Sequence, residues 1–276
     1  MEHSTHFYLV FIISLIGVGG IAGLIAGLLG IGGGLVLVPV LYYLFSHLGV
    51  DPAVCMHLSI GTSLATIIVT SIASASSHYK QKEVDLTLIK SWAVWLVLGA
   101  VLSMSLFGSF KSLALTLFFA LMTFSIAMYM LFGPSNDKNA DSSGHLPTGP
   151  KRWVYGVVVA AASSLMGIGG GSLTVPLLSY YNYPMRQAVG TSAAVGLLIA
   201  IPGTAGAILS GLGQQALPPF SLGYVNWLAF IILIPMTSFF APIGAHLAST
   251  LNATYLRYAF VLFLLINAAT MLIKAI

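Results

Sequence analysis

Gly30-Ile31-Gly32-Gly33-Gly34-Leu35-Val36-Leu37-Val38-Pro39 recurs 137 residues later as Gly167-Ile168-Gly169-Gly170-Gly171-Ser172-Leu173-Thr174-Val175-Pro176. A second motif follows each copy: Gly61-Thr62-Ser63 in the first half, Gly190-Thr191-Ser192 in the second. Four glycines in five positions disfavour a continuous helix, at about 1 kcal/mol each relative to alanine. They permit positive φ and close backbone approach. Each half is therefore expected to carry a break at the same place. Internal repeats with interrupted hydrophobic segments are the pattern of membrane transporters, whose binding sites lie at the interruptions.

Composition sets the solvent. Of the 276 residues, 58% are hydrophobic and 6% charged, and the mean hydropathy is +0.99. Soluble domains carry roughly 25% charged residues, so this is a polytopic membrane protein whose first partner is the lipid bilayer. The carboxylates, Glu2, Asp51, Glu83, Asp85, Asp137 and Asp141, all lie in the N-terminal tail or between apolar runs. The excess of Lys and Arg sits in short loops and at segment ends, as topology determinants do, and does not indicate nucleic acid. Lone Cys55 excludes an internal disulfide and a cysteine-based metal cluster, and no metal or cofactor is expected. The N-terminus lacks a basic stretch before its first apolar run, which therefore reads as a retained helix.

Apolar segments run at about 7–29, 35–48, 54–77, 90–109 and 112–132, then 153–166, 172–182, 187–212, 226–249 and 254–275. The chain thus reads as a first transmembrane repeat (1–132), a polar cytoplasmic linker (133–152) and a second repeat (153–276). Segments 153–166 and 172–182 are too short to cross a bilayer alone, since a span needs about 20 apolar residues. They are expected to be half-helices around a break or a re-entrant hairpin, in which unwound backbone is buried in protein or lines a water-filled cavity. The fold class is all-α, with two homologous halves of about five segments each.

Counting Lys and Arg orients the chain. With five crossings per half, or three plus a hairpin, one face holds Lys80, Lys82, Lys90, Lys138, Lys151, Arg152, Arg186 and Arg257, and the other Lys111 and Lys274. That split places the first face in the cytoplasm and both termini outside, and makes the repeats inverted. Counting each broken pair as one crossing gives parallel repeats with the termini inside, and a charge split weaker by one residue. The inverted reading is preferred. In either case loops 78–90 and 133–152 face the cytoplasm.

A short helix that starts just after each glycine cluster would aim free N–H groups into the break. That end carries roughly half a positive charge and binds anions without a charged side chain. The candidate substrate residues are thus Gly32, Gly33, Gly34, Gly169, Gly170 and Gly171, joined by the hydroxyls of Thr62, Ser63, Thr191 and Ser192. Hydroxyls donate to an oxyanion without the cost of burying a charge. The alternative is structural: glycines for close helix packing, and hydroxyls bonded to carbonyls one turn back. Aligning the Gly-Thr-Ser motifs sets His57 opposite Arg186. Near opposite faces, this pair would suit anion access and release, although Arg186 also reads as a positive-inside anchor and His57 as an interfacial histidine. With no carboxylate in any span, proton coupling would fall to His57, to His246 or to the substrate itself.

Nucleotide readings fail. No lysine follows the glycines as a phosphate-binding loop requires, and residues 17–22 match a dinucleotide fingerprint only inside an apolar run with no preceding strand. Gly19, Gly23 and Gly27, and likewise Gly203, Ala207 and Gly211, form small-residue stripes for helix packing. Trp92, Trp95, Trp153 and Trp227 are expected to be interfacial anchors. A membrane protease would need paired aspartates, a serine–histidine dyad or a metal site, whereas no span has an aspartate and neither His-Glu-x-x-His nor Gly-x-Ser-Gly occurs, so an enzyme is not expected.

The paired Gly-Ile-Gly-Gly-Gly motifs with downstream Val-Pro, the Gly-Thr-Ser motifs and the duplicated layout resemble the sulfite exporter TauE/SafE family of membrane anion permeases, over about residues 20–275. The resemblance implies a cell (inner) membrane location and transport of a sulfur oxyanion or organosulfonate such as sulfite. It supplies no list of binding residues. The expected function is a secondary transporter working by alternating access, with a passive anion channel as the alternative. Assembly into a homo-oligomer is left open.

Overall fold

The computed structural model describes residues 2–29, 33–132, 146, 149–250 and 253–275, with side chains described outside 2–11, 26–29, 245, 248–250, 253–257, 260 and 275. Ten α-helices are present among the described residues: α1 (Glu2–Leu29), α2 (Gly34–His47), α3 (Pro52–Lys80), α4 (Leu86–Ser105), α5 (Ser112–Phe132), α6 (Pro150–Leu165), α7 (Gly171–Tyr180), α8 (Met185–Gly211), α9 (Trp227–Thr250) and α10 (Ala253–Ala275). A two-residue-per-strand hairpin, β1 (Ser221–Leu222) and β2 (Val225–Asn226), precedes α9. Among the described residues, five helices are long and apolar enough to cross a membrane. Large apolar side chains such as Val94, Leu121 and Ile231 face outward, which is stable in lipid and costly in water. The protein is an all-α polytopic membrane protein. Helix α6 begins at Pro150, because Gly149 (φ 78°) and Pro150 together start it.

Local sequence explains the helix starts. Asp51 accepts the Ala53 N–H at 2.8 Å, and Asp85 accepts the Leu88 N–H at 2.9 Å. Asn226 does the same for Ala229 at 2.9 Å. Each side-chain oxygen satisfies a donor that the first helical turn leaves free. Helices α2 and α7 start differently. Gly33 (φ 71°) and Gly170 (φ 79°) precede them in the left-handed region, where an L side chain is strained.

The packing survives exchange of the two halves. Helix α3 crosses α8 antiparallel, with Gly61 against Ala207, Leu64 against Gly203, Ser71 against Gly196 and His78 against Gly190. Helix α6 runs parallel to α4, with Gly156 on Trp92 and Trp95, and Val157 on Gly99. Its counterpart α1 runs parallel to α9, with Gly19 on Leu233 and Met236, and Gly23 on Thr237. Helices α5 and α10 pair with each other. The glycine stripes admit these close contacts, as their spacing suggests. Trp92 departs from the interfacial role. It is fully buried and donates its indole N–H to the Arg152 carbonyl at 2.9 Å, because Gly156 leaves room for the ring.

Helices α6 and α7 form a hairpin whose open end is closed by Tyr155 and Tyr181, with hydroxyls 3.0 Å apart. Arg152 at that end bonds Ser91 at 2.9 Å, and Gly190 lies against Glu83. Lys80, Lys82, Lys90, Lys151, Arg152 and Arg186 therefore gather at one end of the bundle. Lys111 follows the far end of α4, and Lys274 lies 4.4 Å from the Tyr43 ring near the far end of α2.

Candidate functional site

The tips of the two broken pairs meet between the middles of α3 and α8. A Cβ on Gly34 would lie 2.8 Å from the Ile168 Cα and 2.9 Å from the Gly167 oxygen. Gly167 packs on Val38 and Ile60, Gly169 on Ile67 and Gly196, and Gly170 on Val195 and Ile199. Ser63 ties the halves together by donating its hydroxyl to the Gly167 carbonyl at 2.8 Å. In the first turn of α7, the Leu173 and Thr174 N–H groups bond Gly170 O at 3.2 and 2.8 Å. In α2, Val36 and Leu37 bond Gly33 O at 3.0 and 2.8 Å. The N–H groups of Gly171, Ser172, Gly34 and Leu35 precede these bonds and have no partner within their helices. Of the sequence-derived residues, Gly33, Gly34, Gly169, Gly170, Gly171 and Ser63 come together here. Gly32 lies outside the described residues.

Three residues that sequence reasoning passed over belong to this region. Ser163, Ser172 and Thr174 are 0%, 3% and 0% exposed, and their hydroxyls have no hydrogen-bond partner. The Thr174 Oγ1 lies 3.6 Å from where a Cβ on Gly170 would stand, at the mouth of α7. Buried hydroxyls are usually paired, because leaving one unpaired costs about 1–3 kcal/mol. Their signal was in the repeat alignment. Ser172 and Thr174 stand where the first copy has Leu35 and Leu37, which are packed in the core at 1% and 2% exposure.

Thr62 and Thr191 do other work. The Thr62 hydroxyl accepts the Asn226 N–H at 3.0 Å, and the Thr191 hydroxyl accepts the Asp85 N–H at 3.0 Å. In each case a Gly-Thr-Ser threonine of one half holds the capping residue of the other half's fourth helix. The preceding glycine makes room: a Cβ on Gly61 would meet the Tyr224 carbonyl oxygen, and one on Gly190 the Glu83 carbonyl oxygen. Since α3 and α8 are antiparallel, these two clamps close opposite ends of the pair. Ser192 bonds the Val189 carbonyl at 2.8 Å.

His57 and Arg186 also occupy opposite ends, in unlike surroundings. His57 is buried, stacked on Tyr224 at 4.7 Å and edge-on to Phe107 at 4.9 Å. Its Nε2 lies 3.3 Å from the Phe107 carbonyl oxygen, while Nδ1 is buried without a partner. Arg186 is exposed at the start of α8, and His246 is exposed on α9; neither reaches the meeting tips. At the Arg186 end, His78 Nδ1 pairs with Glu83 at 2.7 Å, and the Tyr183 hydroxyl bonds Asp85 at 3.3 Å. Burial, with Asp85 beside it, raises the Tyr183 phenol above its usual range. At the other end a cavity of about 360 Å³ lies against Asn226, lined also by Phe45, Asp51, Gln215 and Phe220.

A helix-broken core, flanked by two matched clamps inside a polytopic bundle, is an arrangement found in membrane transporters. The chain belongs to the sulfite exporter TauE/SafE family, whose model matches residues 15–271. A "probable membrane transporter protein" of Haemophilus influenzae is 35% identical over 265 residues, covering 96% of this chain and 99% of that one. A probable membrane transporter protein of Methanocaldococcus jannaschii is 29% identical over 258 residues, covering 91% of each chain. The probable membrane transporter protein YunE of Bacillus subtilis is 29% identical over 250 residues, covering 84% and 86%. No solved structure matches the chain.

Proposed function

We propose that the protein is a secondary transporter that moves a small anion, a sulfur oxyanion or organosulfonate such as sulfite, across the cell (inner) membrane by alternating access. The observation that carries this reading is the meeting of the two glycine breaks midway between antiparallel α3 and α8, with one clamp toward each end. The antiparallel crossing of equivalent helices supports inverted repeats, because a two-fold axis along the helices would leave them parallel. The gathered lysines and arginines support a cytoplasmic location for that end, with linker 133–152 inside and the termini outside.

The chemistry favours an anion. Two free helix N-termini and several hydroxyls offer donors and partial positive charge, and among the described residues no carboxylate lies at the breaks to hold a cation. A substrate with a pKa near neutrality, as sulfite has, can carry its own coupling proton. The family's name supports the sulfur assignment. The test is counterflow of labelled sulfite in proteoliposomes, with sulfate, thiosulfate, sulfoacetate and taurine as competitors. Accumulation driven by unlabelled internal sulfite is expected. Downhill flux without counterflow would replace the carrier by a channel, and no flux of any of these anions would overturn the substrate class.

A further inference from the structure

The geometry points to an asymmetric anion site: a small oxyanion held at the second break alone, by the first-turn N–H groups of α7 and the hydroxyls of Ser163, Ser172 and Thr174. This inference rests on the anion-transport reading and refines it. By repeat symmetry the two breaks would share the ligand equally, yet the side chains differ. The α2 tip presents Leu35 and Leu37, both buried in apolar clusters. The α7 tip presents Ser172 and Thr174, and α6 supplies Ser163 just before the break. All three hydroxyls are more than nine-tenths buried and unpartnered.

Local bonding makes this notable. A threonine within a helix commonly returns its hydroxyl to the carbonyl four residues back. Thr66 does so to Thr62 at 2.9 Å, and Thr116 to Ser112 at 2.9 Å. Thr174 lies four residues after Gly170, whose carbonyl oxygen accepts the Thr174 N–H, yet its hydroxyl makes no such bond. A free Oγ1 beside the left-handed Gly170 sits where the unbonded N–H groups of Gly171 and Ser172 begin. Donors of both kinds then lie in the first turn of one helix, which suits a ligand with three or more acceptor oxygens. Ser164 is excluded from this set, because it is committed to Ser103 at 2.8 Å and to the Ala160 carbonyl at 2.6 Å.

The test is labelled sulfite counterflow in proteoliposomes for the wild type, Ser172→Ala, Thr174→Val and Thr174→Ser, with Thr116→Val as a partnered, remote control. Sulfite-induced shift of the melting temperature of the purified protein is read in parallel. Ser172→Ala and Thr174→Val are expected to raise KM about tenfold each and to shrink the sulfite-induced shift. Thr174→Ser keeps the hydroxyl and should restore both, and Thr116→Val should leave KM unchanged. Wild-type counterflow with unchanged KM in folded Ser172→Ala and Thr174→Val would overturn the asymmetric site and leave the transport reading standing. Absence of wild-type counterflow and of any melting shift, with each of the anions above, would overturn both.

Discussion

The hydroxyl of Thr62 receives the backbone N–H of Asn226 across the boundary between the halves at 3.0 Å, and the Thr191–Asp85 bond repeats this at the other end. Each bond fixes a capping residue, so it also sets where the other half's fourth helix begins. Removing the acceptor leaves a buried peptide N–H unpaired at Asn226 and a half-buried one at Asp85, at a cost of about 1–3 kcal/mol for the buried group and less for the other. Thr62→Val and Thr191→Val should each lower the melting temperature of the detergent-solubilised protein by several degrees, while the serine variants stay close to wild type. Equal stability of the valine and serine variants would show that the bonds carry no weight.

If the transport cycle opens one end at a time, each clamp must part in turn. Pairing cysteines at Asp85 and Thr191, or at Thr62 and Asn226, in a Cys55→Ala background should give disulfides, because the bonded atoms hold these backbones close. Either cross-link is expected to stop counterflow, and reduction to restore it. Full counterflow with both cross-links formed would mean that the clamps stay shut throughout transport.

The breaks and the doubling were legible in the sequence because they depend on local chemistry. Glycine clusters cannot sit in a helix cheaply, and a motif seen twice needs no partner to be recognised. The hairpin of α6 and α7 follows from the same reasoning, since 153–166 and 172–182 are too short to cross. The clamps were not legible. Thr62 and Thr191 looked like ligand hydroxyls, and their acceptor role is set by peptide N–H groups more than a hundred residues away. Peptide groups carry no residue-specific signature. Residues 213–225 read only as a gap between apolar runs, whereas the structure lays Tyr224 and Asn226 against Gly61 and Thr62. Ser172 and Thr174 were visible within the quoted motif. Their meaning required burial and the absence of a partner, which only coordinates supply.

The glycines of the two clamps should be far less replaceable than a glycine on an open helix face. A Cβ at Gly190 would approach the Glu83 carbonyl oxygen to 2.5 Å, and one at Gly61 would collide with the Tyr224 carbonyl oxygen. Neither oxygen can swing aside as a side-chain end would. Gly61→Ala and Gly190→Ala should each destabilise by about 1–3 kcal/mol or more, visible as lost monodisperse protein and a lowered melting temperature. Gly17 has nothing within 4 Å of a Cβ and no positive φ, so Gly17→Ala should be neutral or stabilising by up to about 1 kcal/mol. Similar effects at all three positions would contradict the packing described.

His57 offers a test of where a coupling proton resides. The ring is held by Tyr224 and Phe107, with Nε2 engaged at the Phe107 carbonyl oxygen. Its Nδ1 is the only imidazole nitrogen among the described buried groups left without a bond. Phenylalanine preserves the aromatic stack and removes both nitrogens, so His57→Phe should fold with a melting temperature near wild type. If this histidine carries the proton, the variant keeps sulfite counterflow, which needs no net proton movement, and loses uptake driven by an imposed pH gradient. If the substrate carries its own proton, both activities survive and the dependence on external pH follows the substrate's ionisation. Loss of counterflow and gradient-driven uptake together, in folded protein, would instead place His57 on the path of the anion.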